Sequence, residues 1–215
     1  MKPKLLLFMA FIFILKANAQ GLPCRAKEEN DKIYKQNPNA LKEKQNFDAF
    51  SKKFSAERKS TSKLLQTSYV IPVVFHIYGD MQSGKTVTYE KIVNHLAQLN
   101  DDFNGRNADY ATVDPFFQAR RGTLNIEFKL AKIDPSGGCT SGVVFHSAKN
   151  GYGNGGGYDD QIAADAWDNT KYMNVYIQND LYQDGALNNS GVAWYPDSGM
   201  TANNTARVVF NGAYL

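Results

Sequence analysis

Ten consecutive residues, Tyr69-Val70-Ile71-Pro72-Val73-Val74-Phe75-His76-Ile77-Tyr78, are β-branched or aromatic almost without interruption, and Gly79-Asp80 ends the run. A strand with one wet face alternates apolar and polar side chains, whereas a run without alternation fits a strand covered on both faces. The rest of the chain must therefore supply layers for two sides of a sheet. After a polar loop, Tyr89, Ile92, Val93, Leu96, Leu99 and Phe103 recur at helical spacing, which predicts an amphipathic helix over 88–103 with Thr88 as N-cap. Leu124 to Ala131 alternates as a second strand, Asp134-Pro135-Ser136-Gly137-Gly138 turns the chain, and Val143-Val144-Phe145 follows as a short strand. Strand, helix, strand implies a right-handed crossover in a partly parallel sheet. Tyr172 to Ile177, Gly191 to Pro196 and Arg207 to Phe210 are further strands, with a short helix near Ile162 to Trp167. The terminal Pro196 assigns Gly191–Pro196 to a sheet edge, because proline cannot donate to a ladder. The expected fold is α/β: a twisted mixed sheet of about five strands with an amphipathic helix packed on it.

The N-terminus is of a different kind. Lys2 and Lys4 precede the apolar run Leu5 to Leu15, and Ala17-Asn18-Ala19 offers small residues for cleavage, so residues 1–19 read as a secretory signal. The apolar run is short for a membrane span. A soluble, secreted chain with no membrane anchor after signal cleavage is expected.

Charge then divides what remains. Residues 20–68 carry 11 Lys plus Arg against 6 Asp plus Glu, net +5, and residues 69–215 carry 10 against 15, net −5. The first segment has few apolar residues and cannot bury much alone. It is a basic arm that needs a surface, and the acidic domain beside it offers one through opposite potential.

Among residues with site chemistry, His76 shares a strand face with Val74 and Tyr78 and is expected as a packed structural histidine; His95 and His146 are expected at the surface. Gly151-Tyr152-Gly153-Asn154-Gly155-Gly156 matches G-x-G-x-x-G, but the nucleotide-binding form needs a helix directly after the glycines, so a flexible loop is expected. Asp159, Asp160 and Asp165 are candidate calcium ligands, against the plainer expectation of a solvated acidic loop. Cys139 follows Gly137-Gly138 in a turn and is read as structural.

In order, YVIPVVFHIYGD, KIVNHLAQLNDDFNG, NIEFKLAKIDPSG with CTSGVVF, WDNTKYMNVYIQNDL, SGVAWYP and RVVFNGAYL resemble the front half of the pappalysin family of metzincin zinc metalloproteases. The resemblance runs from about Tyr69 to Leu215 and implies a secreted zinc metalloendopeptidase made as a zymogen. Its segments would be a signal peptide (1–19), a basic pro-segment (20–68) and the N-terminal subdomain of the catalytic domain (69–215). In that family a helix bearing HExxHxxGxxH follows the strand matching RVVFNGAYL. Its histidines hold zinc and its glutamate activates the attacking water. No such motif occurs between Met1 and Leu215, so the zinc ligands are expected after Leu215 and the chain alone is expected to be inactive. The apolar run ending at Leu215 agrees with a continuation. The resemblance also implies that the edge strand Gly191, Val192, Ala193, Trp194 and Tyr195 pairs with a protein or peptide substrate as an added antiparallel strand. Pro196 would end that pairing. Cys24 is a candidate latency switch, since a thiolate from the arm could occupy a zinc coordination position; a disulfide with Cys139, a bond to a cysteine further on, or a free thiol are its alternatives. No nucleic-acid partner is expected. The competing function is a non-catalytic exported α/β binding module, or a protease remnant.

Overall fold

The computed structural model describes residues 25–58, 68–122, 124–195 and 197–215. The signal segment, Cys24 and Pro196 lie outside them. Two helices come first, α1 (Ala26–Gln36) and α2 (Pro38–Arg58). The domain then runs β1 (Tyr69–Tyr78), a small hairpin β2 (Met81–Gln82) and β3 (Lys85–Thr86), α3 (Tyr89–Phe103), α4 (Pro115–Gln118), β4 (Ile126–Leu130) and β5 (Val143–His146). It continues through α5 (Asp159–Asp165), β6 (Met173–Gln178), β7 (Gly191–Ala193), α6 (Ser198–Ala202) and β8 (Val208–Asn211).

The main sheet has six strands in the order β4-β1-β6-β8-β7, with β5 also pairing β1. β4 pairs β1 along Tyr69–Val73 and β5 along Phe75–Tyr78, while β6 pairs it along Val73–Ile77. The overlap puts β4 and β5 end to end on one side of β1 and β6 on the other. All these pairings are parallel; only β7, on β8, is antiparallel. All six strands of this sheet fall on runs that the sequence marks as strands. β7 is shorter than its run, so Trp194 and Tyr195 lie just past the strand.

The unbroken apolar pattern of β1 is explained by two cores. Val73, Phe75 and Ile77 point into one, with Ile92 and Leu96 of α3, Phe128, Val175 and Ile177. Tyr78 points into the other, with Tyr152, Ile162, Tyr176, Leu181, Tyr182, Trp194, Met200 and Val209. Thr88 caps α3 as its spacing predicts, its hydroxyl accepting from Lys91 N–H at 3.3 Å. Asp134 closes the predicted turn by accepting from the N–H groups of Ser136 and Gly138, both at 2.9 Å.

The glycine loop departs from expectation. Where a flexible loop is expected, the segment is packed: Gly151, Tyr152, Gly153 and Gly155 are buried. A Cβ on Gly153 would stand 2.7 Å from the Leu181 carbonyl oxygen, and one on Gly155 would stand 2.6 Å from that of Glu29 in α1. These glycines serve close approach, and the helix after them, α5, begins only at Asp159, past the last glycine, with two acidic residues in its first turn. Arg207, only 4% exposed, holds the loop to β8 by donating to the carbonyls of Tyr152, Asn154 and Thr205 at 2.8, 2.6 and 2.7 Å. Its guanidinium also lies 4.2 Å over the Trp194 ring. Burial lowers its pKa to about 10.

Candidate functional site

β7 forms one edge of the sheet, β4 and β5 the other. Asn211 N–H donates to Ser190 O at 2.9 Å, and Val192 stands opposite Val209. Bonding residues alternate along an antiparallel pair, so Val192 directs its N–H and C=O at β8 while Gly191 and Ala193 direct theirs outward. Such an edge can take an extended chain as a further strand. Val192 is buried and Ala193 exposed; Trp194, 7% exposed, turns into the second core under Arg207, and Tyr195 is 58% exposed. Of the five edge positions singled out in the sequence, Gly191 and Ala193 thus carry the outward backbone.

The arm lies on this edge. Asn30 of α1 donates its side-chain amide to Ala193 O at 3.3 Å, occupying an acceptor that an added strand would use. Lys44 of α2 lies 5.2 Å over the Tyr195 ring. A groove of about 550 Å³ remains between α1, Lys44 and Ala193–Tyr195. Ala26 and Ile33 pack against the second core, and Ala40 is 2% exposed.

Opposite net charge accounts for only part of this seating. Arg25 follows it, pairing Asp184 at 2.7 Å and lying 3.8 Å over the Tyr182 ring. Two acidic residues of the basic arm run against it. Glu29 is fully buried, accepts from Gly155 N–H at 2.7 Å and is neutralised by Lys32 at 2.7 Å and Arg25 at 3.3 Å. Glu43 accepts from Ser198 N–H at 2.7 Å and from its hydroxyl, satisfying an orphan donor at the start of α6. These hydrogen bonds hold the Glu43 carboxyl below its ordinary pKa. Sequence reasoning assigned the sign of the arm but missed both anchors, because local sequence gives no sign of which carboxylate will meet a distant N–H.

The histidines separate differently from expectation. His76 is fully buried, as expected of a packed histidine. His146 is half-buried, not superficial, and its Nε2 lies 3.0 Å from His76 Nδ1. Asn174 fixes the protons. Its amide donates to Trp167 O at 2.7 Å, so its oxygen faces His76 Nε2 at 3.1 Å and also accepts from Trp167 N–H at 2.8 Å. His76 must then donate from Nε2 and accept from His146 at Nδ1. Burial pushes His76 down to about 4, and burial lowers His146 as well, with Lys149 adding to the effect. A neutral donor–acceptor pair results.

Asp165 is also committed. It accepts from the phenols of Tyr78 at 2.8 Å and Tyr152 at 2.6 Å, and from Lys149 at 2.8 Å. Burial works against its charge, but these bonds hold it below its ordinary pKa. Asp159 and Asp160 are exposed in the first turn of α5. No group of three His, Cys, Asp or Glu among the described residues is arranged to hold a metal ion, zinc or calcium. Cys139 is exposed and free among them. No helix among the described residues is long and apolar enough to cross a membrane.

Comparison with known proteins gives one family model and several similar solved structures. The family model described as pregnancy-associated plasma protein-A, a peptidase family, matches residues 156–215. Mature mirolysin of Tannerella forsythia, solved in complex with a cleaved peptide, is similar at 29% identity and a TM-score of 0.55, over 68% of this chain and 54% of that one. Mirolysin in complex with a compound gives 28% and 0.54, over 68% and 53%. A glutamate-to-alanine variant of Tannerella forsythia promirolysin gives 26% and 0.56, over 85% and 57%. The chain spans about half the length of these structures. No curated protein matches.

Proposed function

From the relationship of this chain to the pappalysin family of metzincin proteases, we propose that it is the N-terminal part of a secreted zinc metalloendopeptidase precursor, in which β7 holds the peptide substrate and the N-terminal arm keeps it out. The observation that carries this is the Asn30 bond to the outward carbonyl of Ala193. Two further facts support it. The share of the chain matched rises from 68% with mature mirolysin to 85% with promirolysin, the difference being about the extent of the two arm helices. The mature relative was also solved with a cleaved peptide.

The described residues do not suit the zinc that the family implies. His76 and His146 are spent on one another and on Asn174, and Asp165 on Lys149 and two phenols. No hydrolytic step is therefore assigned to them. What this part contributes is geometry. An extended peptide would enter antiparallel to β7, using the N–H and C=O of Gly191 and Ala193 for register, with Tyr195 flanking the exit. Residues 1–19 are the proposed export signal. Cys24 immediately precedes the anchored Arg25 in sequence and is the proposed thiolate switch.

The test uses the complete precursor. Loaded with zinc and freed of its arm, it is expected to hydrolyse casein, to lose essentially all activity to a chelator and to regain it with zinc. A Cys24→Ala precursor is expected to show measurable activity before processing. A zinc-loaded, arm-free protein that leaves casein intact would instead favour a non-catalytic binding module.

A further inference from the structure

We propose that the arm is a ligand of the domain in its own right: a cut within residues 59–67 leaves α1 and the first turns of α2 seated on β7. Every anchor described above lies between Arg25 and Lys44, and none depends on the connecting segment. The buried Glu29–Gly155 bond, the Arg25–Asp184 pair and the Glu43 cap on α6 fix the helices at three separate points. Apolar contact adds to them, because departure of Ala26 and Ile33 would uncover part of the second core. The end of the arm nearest the cut is different. Phe47 and Phe50 are 58% and 61% exposed, so the second half of α2 can fray without disturbing the anchored half.

Severing the tether removes an effective concentration on the order of millimolar. The seated helices must then hold by their own affinity. For latency, the consequence is that cutting the connection is not activation; the arm must be destroyed or displaced. That consequence rests on the peptide-binding role of β7. The binding claim does not, and its test contains no proteolysis of substrate.

The experiment inserts a site-specific protease sequence within residues 59–67 of the full chain, cuts it under native conditions and follows the pieces by gel filtration at about 1 μM, a concentration that reports dissociation constants near that value. The arm is expected to co-elute with the domain. Gly155→Ala places a Cβ 2.6 Å from Glu29 O, and is expected to weaken retention about 100-fold, read as separation beginning at an about 100-fold higher concentration in a dilution series. Arg25→Ala, which changes the arm alone and cannot unfold the domain directly, is expected to weaken it in the same direction. Dissociation of the parent arm on cutting would overturn the proposal. So would retention of the arm in both variants as firmly as in the parent.

Discussion

Arg207→Met is expected to destabilise the domain by about 3–4 kcal/mol, which for a domain of this size lowers the thermal midpoint by roughly 6–16 °C. The guanidinium serves three carbonyls on two segments, Tyr152 and Asn154 of the glycine loop and Thr205 before β8. Methionine fills the volume but leaves two buried acceptors and one part-buried one without their donor. Hydrogen bonds from a charged donor contribute about 1.5–3 kcal/mol each, and relief of the buried charge offsets part of their loss. Arg207→Lys should recover little, because one ammonium cannot reproduce a planar fork directed at three oxygens. The loss should also extend to the arm, since Asn154 adjoins the Gly155 that receives Glu29. Calorimetry of parent and variant decides the matter, and an unchanged midpoint would mean that the loop is held by other contacts.

The second large effect is on acid stability. His76 titrates at about 4 in the fold against an ordinary value of 6.5, so between those pH values the unfolded chain binds a proton that the folded one refuses. Stability is then fully present above 6.5 and falls as the pH drops towards 4. The loss is about 3 kcal/mol from this group. Below 4 both states carry the proton and the His76 contribution is flat. Asp165, whose folded pKa lies below 3.8, begins its own loss only at lower pH. Urea unfolding at pH 7, 5.5 and 4 should trace the slope. His76→Gln, which can still donate to Asn174 and accept from His146, should reduce the slope to the part contributed by His146, whose pKa burial also lowers. A parent protein equally stable at pH 7 and pH 4 would show that His76 is not held neutral by burial.

Much of this scaffold is legible in the sequence because its signals are local. The unbroken β1 pattern calls for two covered faces, and the two cores meet there. The periodicity of residues 88–103 and the cap at Thr88 locate α3 to within a residue. The site is less legible because its contacts cross long stretches of chain. His76 and His146 are 70 positions apart and meet only because β5 pairs with the second half of β1. Glycine composition suggests freedom, yet Gly153 and Gly155 stand where a side chain would strike Leu181 or Glu29. Charge counting makes the arm a partner for the domain, while two of its anchors are carboxylates on backbone N–H groups. Trp194, read as part of the edge, is drawn into the core by Arg207.

The proposed latency is tested most directly by following peptide hydrolysis and arm occupancy together in the complete, zinc-loaded precursor. Mass spectrometry reports when the connection at 59–67 is cut and when residues 25–58 leave. Hydrolysis is expected to stay low after the cut and to rise by at least about 100-fold, equivalent to about 2.7 kcal/mol of competition for the edge, when the arm departs. Full activity with α1 still seated on β7 would contradict the account.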